Sequence, residues 1–89
     1  MRVPTIHLNG TSQESLMEAL EQASGKVQEA IDALSEVAPN GRDYYPQGES
    51  AINEAVDEHR SRVKRMQAVF DELIEIWTAI DAVPRRKRY

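Results

Sequence analysis

Two long stretches of the chain carry apolar residues at helical spacing. In the first stretch these residues recur every three or four positions, which is typical of one face of an α-helix. Thr11 and Glu14 match a capping box, so a helix is predicted over residues 12–38, ending at Pro39-Asn40-Gly41. The predicted apolar stripe consists of Leu16, Leu20, Ala23, Val27, Ala30, Leu34 and Val37.

The second stretch has the clearer pattern, which continues through four heptads and predicts a helix over residues 49–83, ending before Pro84. Together the patterns predict an all-α fold: an antiparallel helical hairpin of one domain, residues 1–84. It has a short extended N-terminal arm (1–11) and a loop (39–48), and residues 85–89 form a basic tail. The second stripe consists of Ile52, Val56, His59, Val63, Met66, Phe70, Leu73, Trp77 and Ile80.

The apolar faces are wider than one pair of helices can cover, because Ala55, Val69, Ile76 and Val83 lie beside the second stripe. The chain has 89 residues and no cysteine, so no disulfide supplements its small core. We therefore expect a homo-oligomeric helical bundle. Helix two is predicted to be longer, at about 50 Å against about 39 Å. The arm is expected to cover its Trp77 end, in its own subunit or a neighbour's.

Charge is unevenly distributed although the formal net charge is only -4. All 15 acidic residues lie between residues 14 and 81, which argues against broad binding to nucleic acid. Residues 85–88 are all basic and predict either contact with nucleic acid or a solvated terminus. No apolar run has the length of a signal peptide core or a membrane span, so a cytoplasmic location is expected.

The predicted loop is about twice as long as antiparallel helices need, and it combines aromatic, cationic and amide groups. Tyrosines can stack on a base, arginine can pair with a phosphate, and the Asn-Gly backbone offers N–H groups. The alternative is a folded cap on the end of the bundle. The candidate ligand-binding residues in the loop are Asn40, Gly41, Arg42, Asp43, Tyr44 and Tyr45.

Arg60 and Arg62 of the second helix are further candidates, contributed by a neighbouring subunit; the alternative is a solvated helix with local ion pairs. His59 lies in the apolar stripe, either bonded across the hairpin or as a polar specificity point in an oligomer. No nucleophile–base arrangement, nucleotide-binding loop or metal-ligand spacing is present. The sequence therefore predicts neither an enzyme nor a cofactor.

Three motifs, IHLNGT (6–11), PNGRDYY (39–45) and AxxEHRxR (55–62), resemble a family of small phage and prophage proteins of unassigned role. The resemblance covers nearly the whole chain. In size and helical architecture the chain is also similar to phage anti-defence sponges, oligomeric proteins that sequester cyclic nucleotide signals of bacterial immunity. This second resemblance transfers no site residue. The resemblance to phage proteins implies a location in the host cytosol.

The leading hypothesis is thus a non-enzymatic, homo-oligomeric binding protein for a small anionic, nucleotide-like ligand. The alternative hypothesis is a helical module that binds a host or phage protein through its apolar face or through Tyr44 and Tyr45.

Overall fold

The all-helical class is confirmed by a computed structural model, which describes residues 1–85. Helix α1 spans Gln13–Leu34 and continues as a 3-10 turn, Ser35–Val37. A short helix α2, Gly41–Tyr44, runs into a second 3-10 turn, Tyr45–Gln47. Helix α3 spans Ala51–Asp81. Residues 1–85 contain no strand, and none of their helices is long and apolar enough to cross a membrane.

The start of α1 differs by one residue from the predicted capping box. Ser12, not Thr11, is the N-cap, and its hydroxyl accepts a hydrogen bond from the Ser15 N–H at 3.1 Å. Serine and threonine are similarly effective caps, and both precede an apolar run here. The sequence therefore identified the helix start but not the capping residue.

The face of α1 that packs on α3 is rotated from the predicted stripe. Ala23, Ala30 and Val37 are exposed, whereas Gln13 and Ser24 are buried. Leu16, Leu20, Val27 and Leu34 of the stripe are half-buried, and so are the adjoining Met17 and Ile31, whose larger side chains remove more apolar surface from water than alanines would. The Ser24 hydroxyl donates to the Glu21 carbonyl at 3.1 Å, so its burial leaves no unpaired hydroxyl.

The connection between the long helices is structured, which corrects the prediction of a loop over residues 39–48. Asn40 caps α2, and Tyr45–Gln47 forms a 3-10 turn. Gly48 then has φ 110°, in the region that favours glycine, and the chain turns there into α3. Short helical turns pair the backbone groups of a segment that would otherwise rely on water.

A buried amide joins the beginning of α1 to the end of α3. The Gln13 Nε2 group donates to the carbonyl of Ile80 at 2.8 Å and to that of Val83 at 2.9 Å. The Ile80 carbonyl belongs to the last turn of α3, where carbonyls lack the helical i+4 donor, and it also accepts a hydrogen bond from the Val83 N–H at 3.1 Å. Val83 itself follows the helix. Ile80 itself is fully buried. The start of α1 therefore lies beside the end of α3, and the two long helices pack against each other.

The N-terminal arm lies at this same end of the molecule. Residues 1–6 have no regular structure, and a turn follows in which the Gly10 N–H donates to the His7 carbonyl at 3.1 Å. Ile6 and Leu8 line an open groove of about 800 Å³ together with Val83 and Pro84. The arm is thus irregular rather than a strand, and its predicted cover over the Trp77 indole stays a prediction.

The core of the single chain is thin. Only Ala55 and Ile80 are buried among the hydrophobic side chains of the described residues. The radius of gyration is 19.6 Å, whereas a compact chain of this length has about 12 Å. The accessible surface is 7189 Å², against about 5,300 Å² for a folded monomer of 10.1 kDa. The predicted hairpin and its oligomeric bundle remain predictions, but the chain leaves much apolar surface uncovered.

The surroundings of Gly25 show whether another element covers the outer side of α1. A Cβ built at Gly25 has no atom within 4 Å, so α3 does not approach it. We expect Gly25→Ala to raise the free energy of unfolding by about 0.5–1 kcal/mol, because alanine costs less backbone entropy in a helix. Thermal unfolding followed by circular dichroism measures the change. A loss of stability instead would mean that another copy packs closely at this position.

Candidate ligand site

The first turn of α2 is held by Asn40. Its Oδ1 atom accepts a hydrogen bond from the Asp43 N–H at 3.2 Å, and its Nδ2 group donates to the Asp43 carboxylate at 2.9 Å. Two of the six candidate residues in this segment therefore satisfy each other. These are local hydrogen bonds that cap α2, and a folded cap on the end of the bundle stays a prediction.

The two tyrosines that follow have different surroundings. Tyr44 is half-buried at the end of α2, whereas Tyr45, in the adjoining 3-10 turn, is 77% exposed. Gly41 and Arg42 are exposed on the first turn of α2. Within residues 1–85 Arg42 forms no salt bridge. Tyr44 is the one member of this group of four that is half-buried in a single chain.

Tyr44 forms one wall of a small cleft against the first turns of α3. The cleft has a volume of about 150 Å³ and opens to solvent. Its lining includes the buried Ala55, and Arg62 lies two turns further along the same helix. We call it the Tyr44 cleft; its lining residues are Tyr44, Gln47, Ala51, Glu54, Ala55, Glu58 and Arg62.

The electrostatics of the Tyr44 cleft are mixed. Arg62 Nη2 lies 3.6 Å from a carboxylate oxygen of Glu58, and both side chains are more than half exposed. An ion pair in that setting contributes little, so a phosphate can compete with Glu58 for the guanidinium. Glu54 adds a second negative charge to the cleft. The cleft thus has one cation and two carboxylates. It can bind an anion favourably only if a further cation is added to the site.

Arg60 lies elsewhere. It borders a separate shallow groove on the outer side of α3 with Asp57, Ser61 and Lys64. Residues two apart are rotated by about 200° around the helix axis and so project from nearly opposite sides. Arg60 and Arg62 of one copy therefore cannot bind the same phosphate. Of the eight candidate residues, the structure brings together Tyr44 and Arg62 in the cleft.

The sequence interpretation missed most of the α3 side of the cleft. Ala51, Ala55, Glu58 and Arg62 follow spacings of four, three and four, and Glu54 lies one turn before Glu58, so all five share one helical face. Acidic residues at such spacing are also typical of a solvated helix surface, so the pattern alone does not identify a cleft. Gln47 gave no signal at all, because only the 3-10 turn directs it toward the helix.

Two other sequence features do not contribute to the cleft. His59 is half-buried, and its ring makes no hydrogen bond within the described part of the chain. Arg85 pairs with Asp81 at 3.2 Å and contacts the Met17 sulfur at 3.5 Å, while the rest of the predicted tail, 86–89, lies outside the described residues. The described residues also contain no group of three or more acidic or histidine side chains arranged to hold a metal.

Comparison with known proteins gives no relative of this chain: no protein-family model, no curated protein and no solved structure matches it. The resemblance carried by the three sequence motifs is therefore still a prediction, and the function has to be argued from the site.

Proposed function

We propose that this chain is a non-enzymatic binding protein that works as a homo-oligomeric helical hairpin and takes up a small anionic, nucleotide-like ligand at its Tyr44 cleft. The observation that carries the proposal is the meeting of an aromatic ring and a guanidinium, Tyr44 and Arg62, in one solvent-accessible cleft. These two groups match the two parts of a nucleotide, the base and the phosphate.

In this proposal Tyr44 stacks on the base, and Arg62 leaves Glu58 to pair with a phosphate. The exposed Tyr45 covers the ligand from outside the cleft. A neighbouring copy supplies the further cation that Glu54 and Glu58 make necessary, and the exposed Arg42 is suited to this. The site is therefore shared between copies, in keeping with the thin core of the single chain.

The biological role that we propose rests on the resemblance to phage proteins. A protein that binds a nucleotide-like signal without converting it removes that signal from solution. In an infected bacterium this would act as counter-defence, with the protein sequestering an immune signal in the host cytosol. No step of this role requires catalysis, a cofactor or a membrane.

A binding panel tests the ligand. Cyclic dinucleotides, cyclic trinucleotides and ADP-ribose derivatives are compared by thermal shift and by isothermal titration calorimetry. At least one compound is expected to bind, and Tyr44→Ala and Arg62→Gln are each expected to weaken its binding about tenfold or more, since a stacked base contributes about 1–3 kcal/mol. Arg2→Gln, which removes an exposed cation far from the cleft in sequence, is the control and should bind normally.

Binding that survives both cleft variants would move the site away from Tyr44, and the absence of binding by every compound would reject the proposal. The remaining candidate is then an interaction module for a host or phage protein. The observation in its favour is the uncovered apolar surface, since Ala55 and Ile80 are the only buried hydrophobic residues in the part of the chain that the structure describes. This module is supported if a purified complex with a host protein is lost on Tyr45→Ala while no nucleotide binds.

A further inference from the structure

A polar stripe runs along the exposed side of α3. Its members are spaced by four, three, four and four residues, so they lie on one face of the helix. All are exposed, and the amide of Gln67 donates to the Asp71 carboxylate at 3.0 Å along this face. We call it the outer stripe; its residues are Arg60, Lys64, Gln67, Asp71 and Glu75.

The charges of the outer stripe are arranged unfavourably for a single chain. Arg60 and Lys64 are like charges one turn apart, and so are Asp71 and Glu75. Such neighbours on a helix destabilise it. Within residues 1–85 none of these four side chains forms a salt bridge; the three ion pairs of that part of the chain involve other residues. Two basic residues are thus followed by two acidic residues, and none of the four has an ion-pair partner within the described part of the chain.

The order of these charges fits a second copy of the same helix in the opposite direction. If two outer stripes face each other antiparallel about a two-fold axis at residues 67–68, Arg60 lies opposite Glu75 of the partner. In the same register Lys64 lies opposite Asp71. A two-fold axis produces each pair twice, so one register forms four ion pairs from charges that have none in the single chain.

A parallel arrangement of the two helices has the opposite effect. Residues with the same number then face each other, so Arg60 and Lys64 meet the same cations and Asp71 and Glu75 meet the same carboxylates. The charge order therefore selects the antiparallel orientation. It also argues for a second copy as the partner, because the complementary pattern is present in this chain itself.

Apolar side chains adjoin the outer stripe, and the chain as a whole, polar and apolar atoms together, exposes more surface than a compact monomer. Ile74, 40% exposed, and the half-buried Val63 adjoin the stripe on α3. The chain exposes about 1,900 Å² more than a folded monomer of its mass. A standard interface removes about 800 Å² from each partner. The ion pairs would set the register, and the burial of apolar surface would supply most of the affinity.

We propose that two copies of this chain pair through α3, antiparallel, with the outer stripes in contact and Gln67 next to the two-fold axis. The inference rests on the proposed function in one respect, that the working unit contains more than one copy. It adds the surface, the orientation and the register of the pairing, and it assigns Arg60 to the interface between copies.

Disulfide trapping tests the register, and the chain is suited to it because it contains no cysteine. Gln67→Cys is expected to cross-link to itself under mild oxidation, since the two sulfurs meet near the axis of a close antiparallel pair. Asn53→Cys is the matched control, an exposed residue on the same helix at heptad spacing from Arg60. In the proposed register its two copies are about 43 Å apart and cannot cross-link.

Charge reversal tests the ion pairs independently. Arg60→Glu with Lys64→Glu, and separately Asp71→Lys with Glu75→Lys, are each expected to raise the dissociation constant of self-association at least about tenfold, measured by sedimentation. The chain with all four substitutions has the charges exchanged and should associate as the unchanged chain does. If the two helices paired in parallel, like charges would face each other both before and after each double substitution, so neither double variant would weaken association.

The outcomes separate this inference from the proposed function. Self-linking of Asn53→Cys, or a fourfold variant that associates no better than the double variants, overturns the antiparallel pairing even where the protein is oligomeric and binds nucleotide. A monomeric mass at micromolar concentration by light scattering overturns both the pairing and the oligomeric unit. Antiparallel cross-linking without any nucleotide binding supports the pairing and rejects the proposed ligand.

Discussion

Ile80→Ala is expected to lower the free energy of unfolding by about 2–5 kcal/mol. Among residues 1–85, Ile80 is the one large side chain that is fully buried, and truncation leaves a cavity as well as removing apolar contacts. Because so few hydrophobic side chains are buried, the loss is a large part of the stability of a small domain. Chemical denaturation followed by circular dichroism measures the change from the shift in midpoint.

Ile74→Ala is the matched control, since the same atoms are removed from the same helix at a side chain that is 40% exposed. Its cost should be less than half that of Ile80→Ala. Both variants are compared at several protein concentrations, because a contribution from self-association makes stability depend on concentration. Equal costs at low concentration would show that Ile80 is not the centre of the core.

The second large effect is expected at Gln13. Gln13→Ala should lower the free energy of unfolding by about 1–3 kcal/mol, because two carbonyls near the end of α3 lose their buried donor. The loss should be local as well as global. Amide hydrogen exchange is expected to become faster in the last turn of α3 first, where the helix then frays without its partner.

Gln22→Ala is the control for Gln13→Ala. Gln22 is exposed in the middle of α1, and its replacement should leave stability within about 0.5 kcal/mol. Gln13→Glu retains the shape of the side chain but replaces the donor by an acceptor facing two carbonyls. It is expected to be at least as destabilising as alanine. A tolerated glutamate would mean that the amide bonds contribute little.

Much of the fold could be predicted from the sequence, because helical periodicity is a local property. The two long helices and the segment between them were located to within a few residues. The rotation of α1 could not be predicted, since Ser24 counts as polar in any hydrophobic pattern and is buried only because its hydroxyl bonds within the helix. The role of Gln13 depends on residues 67 and 70 positions away in the chain.

The candidate site was predictable only in part. Tyr44 and Arg62 could be named from chemistry, since an aromatic ring and a guanidinium suit a nucleotide whatever the fold. Tyr44 and Arg62 line the same cleft, whereas Arg60 lines a separate groove, because Arg60 and Arg62 project from nearly opposite sides of α3. Asn40 and Asp43 bond to each other, and composition alone could not distinguish such local hydrogen bonds from contacts with a ligand.

The hydrogen bonds of Gln13 have a practical consequence for how the protein is handled. They place the N-terminal arm and Arg85 at the same end of the molecule, whereas the Tyr44 cleft begins at the other end of α3. Helix α3 has 31 residues and is about 46 Å long. A surface tether or fluorescent fusion joined to the N-terminal arm will therefore leave the cleft open to ligand.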